Sequence, residues 1–182
     1  MDYVTFFEGR TTDDKGRTIT DILQYNTVRL ECLHDYIQRI FPLQEASKFS
    51  DAQQITDSEI DAIAKSKAAR TNIQALYQKM LQFWKIDDER IARWGKLTPM
   101  RLWNMPNNHN HLRMTRVLKS LKLLRMEQEY MDFSNRISCL LSMHKVGLAH
   151  ISKKTANIWA ENICTATHLE SDAWKGGKDA SQ

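Results

Sequence analysis

The chain has no run of about 18 consecutive apolar residues, so no segment reads as a membrane-spanning helix. Its first ten residues, MDYVTFFEGR, lack the basic stretch followed by an apolar one that marks a secretory signal. The expectation is a cytoplasmic or otherwise intracellular protein. Cysteine is scarce: Cys32, Cys139 and Cys164 are odd in number, far apart and without a CxxC pair, which excludes a disulfide framework and a thiolate zinc site. Free, buried thiols are expected. Proline and glycine together supply only nine of 182 residues, too few for a turn-rich β fold or a low-complexity chain. No GxxxxGK[ST], GxGxxG or GxSxG occurs, which leaves a phosphate cradle or a serine-hydrolase elbow without support.

What remains is helical. Hydrophobic residues make up 42% of the chain, and they recur at helical rather than alternating spacing. The fold expected is all-α, a single-domain bundle of about six helices over 20–168. Residues 1–19 form an extended arm held by Tyr3, Phe6 and Phe7, and 169–182 a frayed polar tail. One helix runs from a cap at Asp21 to about Phe41, where Pro42 ends it. TDSE at 56–59 reads as a capping box that starts a long helix to about Trp84. A short helix over 87–94 and a loop follow, buried by Trp94, Leu97, Leu102, Trp103 and Met105, and Phe49 anchors an earlier connector. Later helices span 127–143, ending at Gly147, and 152–166, capped by Ser152.

The richest stretch is 107–124, NNHNHLRMTRVLKSLKLL. Pro106 stops any preceding helix, and Asn107 or Asn108 can cap the next one. Met114, Val117, Leu118, Leu121 and Leu124 form its core stripe, with Asn110 and His111 at the stripe's edge. His109, Arg113 and Arg116 fall at i, i+4 and i+7, a cationic ridge near a helix end that favours anions. A second polar face is expected upstream. Glu31, His34 and Asp35 stand at i, i+3 and i+4 of the 21–41 helix, with Gln38 one turn further. ExxH at this spacing can supply two metal ligands in a helical bundle, but a histidine at the core edge with Asp35 paired to an arginine accounts for the same letters. The letters HNH at 109–111 lack the ββα setting of a nuclease. The lysines and arginines are spread over most of the chain, so a net charge of +4 does not favour nucleic acid as a partner.

HNHLRMTRVLKSL at 109–121 with LLRMEQE at 123–129, and LECLHDYIQRIFPLQEAS at 30–47, resemble the two signatures of the opioid growth factor receptor conserved domain. FFEGR at 6–10, GRTITDIL at 16–23 and ALYQKMLQFWKI at 75–86 fall in the same order, so the likeness covers about residues 6–160. Two positions depart: Arg39 stands where the family usually has Trp, and Arg125 where Gly is common. The resemblance implies a helical, receptor-like module that binds a peptide or protein. Its vertebrate member binds the opioid peptide met-enkephalin and is associated with the nucleus and growth control.

The function expected is therefore a peptide- or protein-binding module with no cofactor, metal or catalytic set. The candidate ligand-binding residues are Glu31, His34, Asp35, Gln38, His109, Asn110, His111, Arg113 and Arg116. On one account charge-assisted bonds from Arg113 or Arg116 to Asp35 or Glu31 lock two helices together. The alternative is a small-anion- or metal-binding, hydrolase-type enzyme using His34 and Asp35 with His109, His111, Arg113 and Arg116. Oligomeric state is not legible.

Overall fold

Each helix leaves its first N–H groups without partners, and in this chain short polar side chains accept them at nearly every start. The computed structural model describes residues 1–46, 51–86, 103–105, 107–147 and 149–163. Among these it places nine helices and no strand, as expected of an all-α protein. They are α1 (Tyr3–Phe7), α2 (Ile19–Leu23), α3 (Thr27–Cys32), α4 (Ile37–Ile40), α5 (Asp57–Lys65), α6 (Lys67–Trp84), α7 (His109–Leu123), α8 (Glu127–Lys145) and α9 (Lys153–Asn162). The expected short helix over 87–94, the loop residues Leu97 and Leu102, and Phe49, Pro106, Cys164 and the 169–182 tail lie outside the described residues.

The count exceeds six because two expected helices are broken and the arm carries a helix of its own. The 21–41 stretch becomes α2, α3 and α4: Thr18 rather than Asp21 caps α2, in a capping box with Asp21, and Asn26 caps α3 by accepting from Arg29 N. Leu33 then turns extended, with ψ 130°, and ends α3. The 56–84 stretch bends at Ser66, whose extended backbone closes α5 while its hydroxyl caps α6. Thr56 and Glu59 form the expected capping box. Nor is the arm extended. Asp2 accepts from Val4 N and Thr5 N, and the α1 turn drives Tyr3, Phe6 and Phe7 fully into the core.

The long α6 is the spine. Its Ala69, Ile73, Leu76, Tyr77, Met80 and Trp84 are wholly buried, and α1, α2 and α5 pack on it. The helices α7, α8 and α9 pack on one another, with Met114, Val117, Leu118, Leu121 and Leu124 fully buried as their spacing requires. Trp84 stacks on Phe133 at 6.0 Å, joining the two halves. Trp103 is buried as expected, while Met105 is 53% exposed and does not help to bury its loop. Cys32 and Cys139 are exposed free thiols rather than buried ones, because each falls on the solvent side of its helix. Gly147 adopts φ +76° just past α8, the left-handed turn that ends a helix most cheaply with glycine.

The two departures from the resemblance are physically distinct. Arg125 holds φ +55°, a region where any side chain is strained and glycine is not, which is why glycine suits that turn. Arg39 lies fully buried where an indole would fill space. Its guanidinium pairs with Asp14, donates to Asp51 Oδ1 at 2.8 Å and to the Asp35 carbonyl at 2.7 Å. This pairing holds the Asp14 and Asp51 carboxyls below the usual carboxylate range, through hydrogen bonds to Arg39 above all.

Candidate functional site

The signature helix α7 begins where the backbone permits. Asn107 takes a left-handed turn at φ +57°, and Asn108 caps the helix by accepting from Asn110 N at 2.8 Å. This sets the rotation of α7, and with it which signature residues face in.

Asn110, His111 and Arg113 face in, and none is at an edge or on a ridge. Asn110 is fully buried: its Oδ1 accepts from Trp84 Nε1 and Arg113 Nη1, each at 3.2 Å, and its Nδ2 donates to Glu31 Oε2 at 3.1 Å. His111 is 2% exposed, donates from Nε2 to the Trp103 carbonyl at 2.7 Å, and meets the Trp159 ring edge-on at 5.6 Å. Burial holds its pKa below the ordinary 6.5, so at neutral pH the ring is uncharged. Arg113 reaches the broken end of α3. It donates to the Leu30 carbonyl at 2.9 Å, to the Leu33 carbonyl at 2.7 Å and to the Glu31 carbonyl at 3.3 Å, and His34 Nδ1 accepts from it at 3.2 Å. A helix C-terminus is short of donors and carries partial negative charge, so one guanidinium satisfies several orphan carbonyls there.

Glu31 and His109 close the inner cluster. Glu31 Oε1 lies 3.2 Å from His109 Nε2, and the His34 and His109 rings meet edge-on at 5.3 Å. Burial, aided by Arg113, depresses the His109 pKa against the opposing pull of Glu31.

The expected meeting of the signature helix with the 31–35 segment is real, but its terms differ. Arg113 bonds backbone carbonyls more closely than it does the Glu31 carboxylate, which lies 3.9 Å away. Asp35 is not its partner, nor that of Arg116. Asp35 instead accepts from Arg17 Nη1 at 2.9 Å and lies 4.0 Å from Arg39, because the break at Leu33 rotates residue 35 off the face of residue 31. That same break parts Gln38 from Glu31.

Arg116 lies on the neighbouring strip of α7 and reaches the chain around Phe41 instead of the end of α3. It is half-buried, donates to the Phe41 carbonyl at 3.3 Å, and has no carboxylate within 4 Å among the described residues. Burial, rather than any partner, lowers its pKa. Arg116 stands in a groove of about 420 Å³ between α7 and the chain around α4. Ile37, Leu43, Ala46 and Leu112 give the groove its apolar surface, and Leu112 is 59% exposed. Gln38, Thr115, Lys119 and the outer edges of His34, His109 and Arg113 complete it. A cleft of this size, apolar with a few polar groups, falls within the ordinary range for ligand pockets, about 300–1,000 Å³.

The candidates therefore divide. His34, Gln38, His109, Arg113 and Arg116 border the groove; Glu31, Asn110 and His111 lie behind it; Asp35 belongs to the network of Arg17 and Arg39. The metal-assisted alternative finds no support: His111 is turned toward Trp159, and among the described residues no three His, Cys, Asp or Glu side chains gather to hold an ion. Sequence reasoning missed Leu112 and Lys119. Leu112 carried a signal, being a leucine off the Met114, Val117, Leu118 stripe in the signature itself.

Comparison with known proteins gives the arrangement its setting. The family described as the opioid growth factor receptor (OGFr) conserved region matches residues 4–159. Among curated proteins, the opioid growth factor receptor of Mus musculus is 38% identical over 121 residues, which is 62% of this chain and 19% of that protein. The opioid growth factor receptor-like protein 1 of Mus musculus is 37% identical over 97 residues, 51% of this chain and 21% of that protein. The human receptor is 33% identical over 120 residues, 62% of this chain and 18% of its own. The matched segment thus covers about a fifth of each of these relatives. No solved structure matches the chain. Both signatures, the inner cluster they build and the groove beside it fall within the matched span, and the chain belongs to the opioid growth factor receptor family.

Proposed function

We propose that this chain is a receptor-like module that binds a peptide or protein without catalysis, and that α7 and the α4 segment form its recognition groove. The observation that carries the reading is the pairing of an exposed leucine, Leu112, with a half-buried arginine, Arg116, that has no carboxylate within 4 Å among the described residues, in one cleft. Exposed apolar surface and a partly desolvated cation both cost free energy in the unbound chain, and a ligand can offset both. Support also comes from the relatives, which are named as receptors for an opioid growth factor. The inner cluster suits this role by holding the groove wall rigid, since Asn110 and the Arg113 guanidinium are bonded on several sides to the fold.

The reading is tested by titrating fluorescently labelled met-enkephalin with the purified chain and with a Leu112→Glu variant. Saturable binding, competed by unlabelled peptide and weakened at least about tenfold in the variant, is the expected result. A signal that stays linear into the high micromolar range removes the opioid peptide as a ligand. Saturation unchanged by Leu112→Glu moves the site off this groove.

A further inference from the structure

The groove has an unsatisfied acceptor as well as a cation, Arg116, that Glu45 steadies only from beyond 4 Å, with no carboxylate in contact among the described residues. Gln38 is only 8% exposed and borders the groove, and its Oε1 is closed off from solvent with no hydrogen-bond partner, so a ligand donor reaches it once the amide turns toward the cleft. A buried amide oxygen without a donor costs free energy that a ligand N–H would recover. Two cations lie on the same cleft: Arg116, and Lys119, whose 3.6 Å pairing to Glu45 is loose because that glutamate is 75% exposed. Glu31, which lies behind the groove, accepts from Asn110 Nδ2 and does not compete. Between these polar points lie Ile37, Leu43 and Leu112.

We infer that the groove selects an acidic peptide segment: an Asp or Glu side chain pairs with Arg116 and Lys119, a backbone N–H of the segment donates to Gln38 Oε1, and a flanking apolar side chain covers Leu112. The inference rests on the peptide-binding reading and specifies its ligand class. A small inorganic anion would satisfy the cations but leave the leucine bare and Gln38 without a donor. A basic peptide would meet Arg116 and Lys119 with like charge. The requirement for an N–H, a carboxylate and an apolar group within a few residues is met by a short stretch of polypeptide.

The test is selection from a displayed random dodecapeptide library on the full 182-residue chain, followed by titration of one synthetic peptide from the enriched set. Enriched sequences should carry Asp or Glu beside Leu, Ile, Met or Phe, and replacing that acid by its amide should weaken binding about tenfold or more. Lys119→Glu, at a side chain 34% exposed and therefore safe for folding, should abolish the acidic preference, because the new carboxylate cancels the charge of Arg116. Gln38→Met should weaken the synthetic peptide while leaving the melting temperature unchanged or higher, since it removes an orphan acceptor. Enrichment without acidic bias, or acidic peptides that bind the Lys119→Glu protein equally well, overturns the inference and leaves peptide binding standing. No enrichment over a Leu112→Glu control overturns both.

Discussion

Arg113 and Arg116 stand three residues apart on one helix and have opposite fates. Arg113 is 5% exposed and bonded to three carbonyls, an asparagine and a histidine; Arg116 is half-buried and bonded to one carbonyl. The difference is set less by α7 than by what faces it. Where α3 ends early at Leu33, the chain offers a cup of carbonyl oxygens, and a guanidinium fills it. Where Phe41 and Leu43 pass, it offers one carbonyl and apolar surface. Identical side chains in one signature thus meet two environments, the first a cup of carbonyl acceptors and the second the apolar cleft proposed above as the ligand groove.

The comparison breaks most visibly at Arg113. Removing it leaves the Leu30, Glu31 and Leu33 carbonyls without their donor and Asn110 without one of its partners, and losing one partner of a buried charged network costs about 3 kcal/mol. For a chain of this length Arg113→Ala should therefore lower the melting temperature by about 6 to 12 °C. A drop of less than about 2 °C in calorimetry would mean that α3 does not depend on this cation.

His111 sharpens the same point by titration. Its pKa is below 6.5 in the folded chain because burial disfavours the charged ring, so below pH 6.5 the unfolded chain binds the extra proton first. The stability tied to its neutral form is fully present above pH 6.5 and is lost as pH falls toward the folded pKa, at up to about 1.4 kcal/mol per pH unit. Melting temperatures measured from pH 7.5 down to pH 5 should fall, and His111→Gln should flatten the slope. Depressed His109 leaves a residual slope of the same sign. A profile equally steep in the variant would assign the acid sensitivity elsewhere.

The legibility of these regions in the sequence follows the reach of the forces involved. Asn108, Thr56, Ser66 and Ser152 act within three residues of themselves, and of these Asn108, Thr56 and Ser152 were readable as caps, as was the α7 core stripe. The break at Leu33 was not readable, because the donor that compensates it, Arg113, is 80 residues away. With that break unseen, Asp35 was assigned to the wrong arginine and Gln38 to the wrong face. The buried Arg39 was equally hidden, since its partners Asp14 and Asp51 come from separate loops. The identity of the family, by contrast, was plain in contiguous signatures, and periodicity alone was enough for the all-α class.

A smaller effect is expected at the turn between α7 and α8. Arg125→Gly relieves the φ +55° strain and keeps the carbonyl that accepts from Arg70. It loses an exposed pair with Asp61 that contributes little, and it adds chain entropy to the unfolded state. The balance should be a gain of about 0.5 kcal/mol, a rise of about 1 to 2 °C in melting temperature. A lower melting temperature would mean that the Asp61 pair outweighs the backbone strain.

Arg116→Ala should move stability least of all, and for that reason it is the decisive partner to Arg113→Ala. The variant gives up one 3.3 Å bond to the Phe41 carbonyl and relieves a desolvated charge, two effects of opposite sign. Stability should change by no more than about 0.5 kcal/mol, within about 2 °C. Peptide binding in the groove should fall at least about tenfold, because a charge-assisted bond to the ligand is lost. Equal loss of stability in the Arg113 and Arg116 variants would mean that both faces of α7 are architecture. Intact stability with intact binding would leave the cation without a role in recognition, and attention would pass to Lys119 on the same groove.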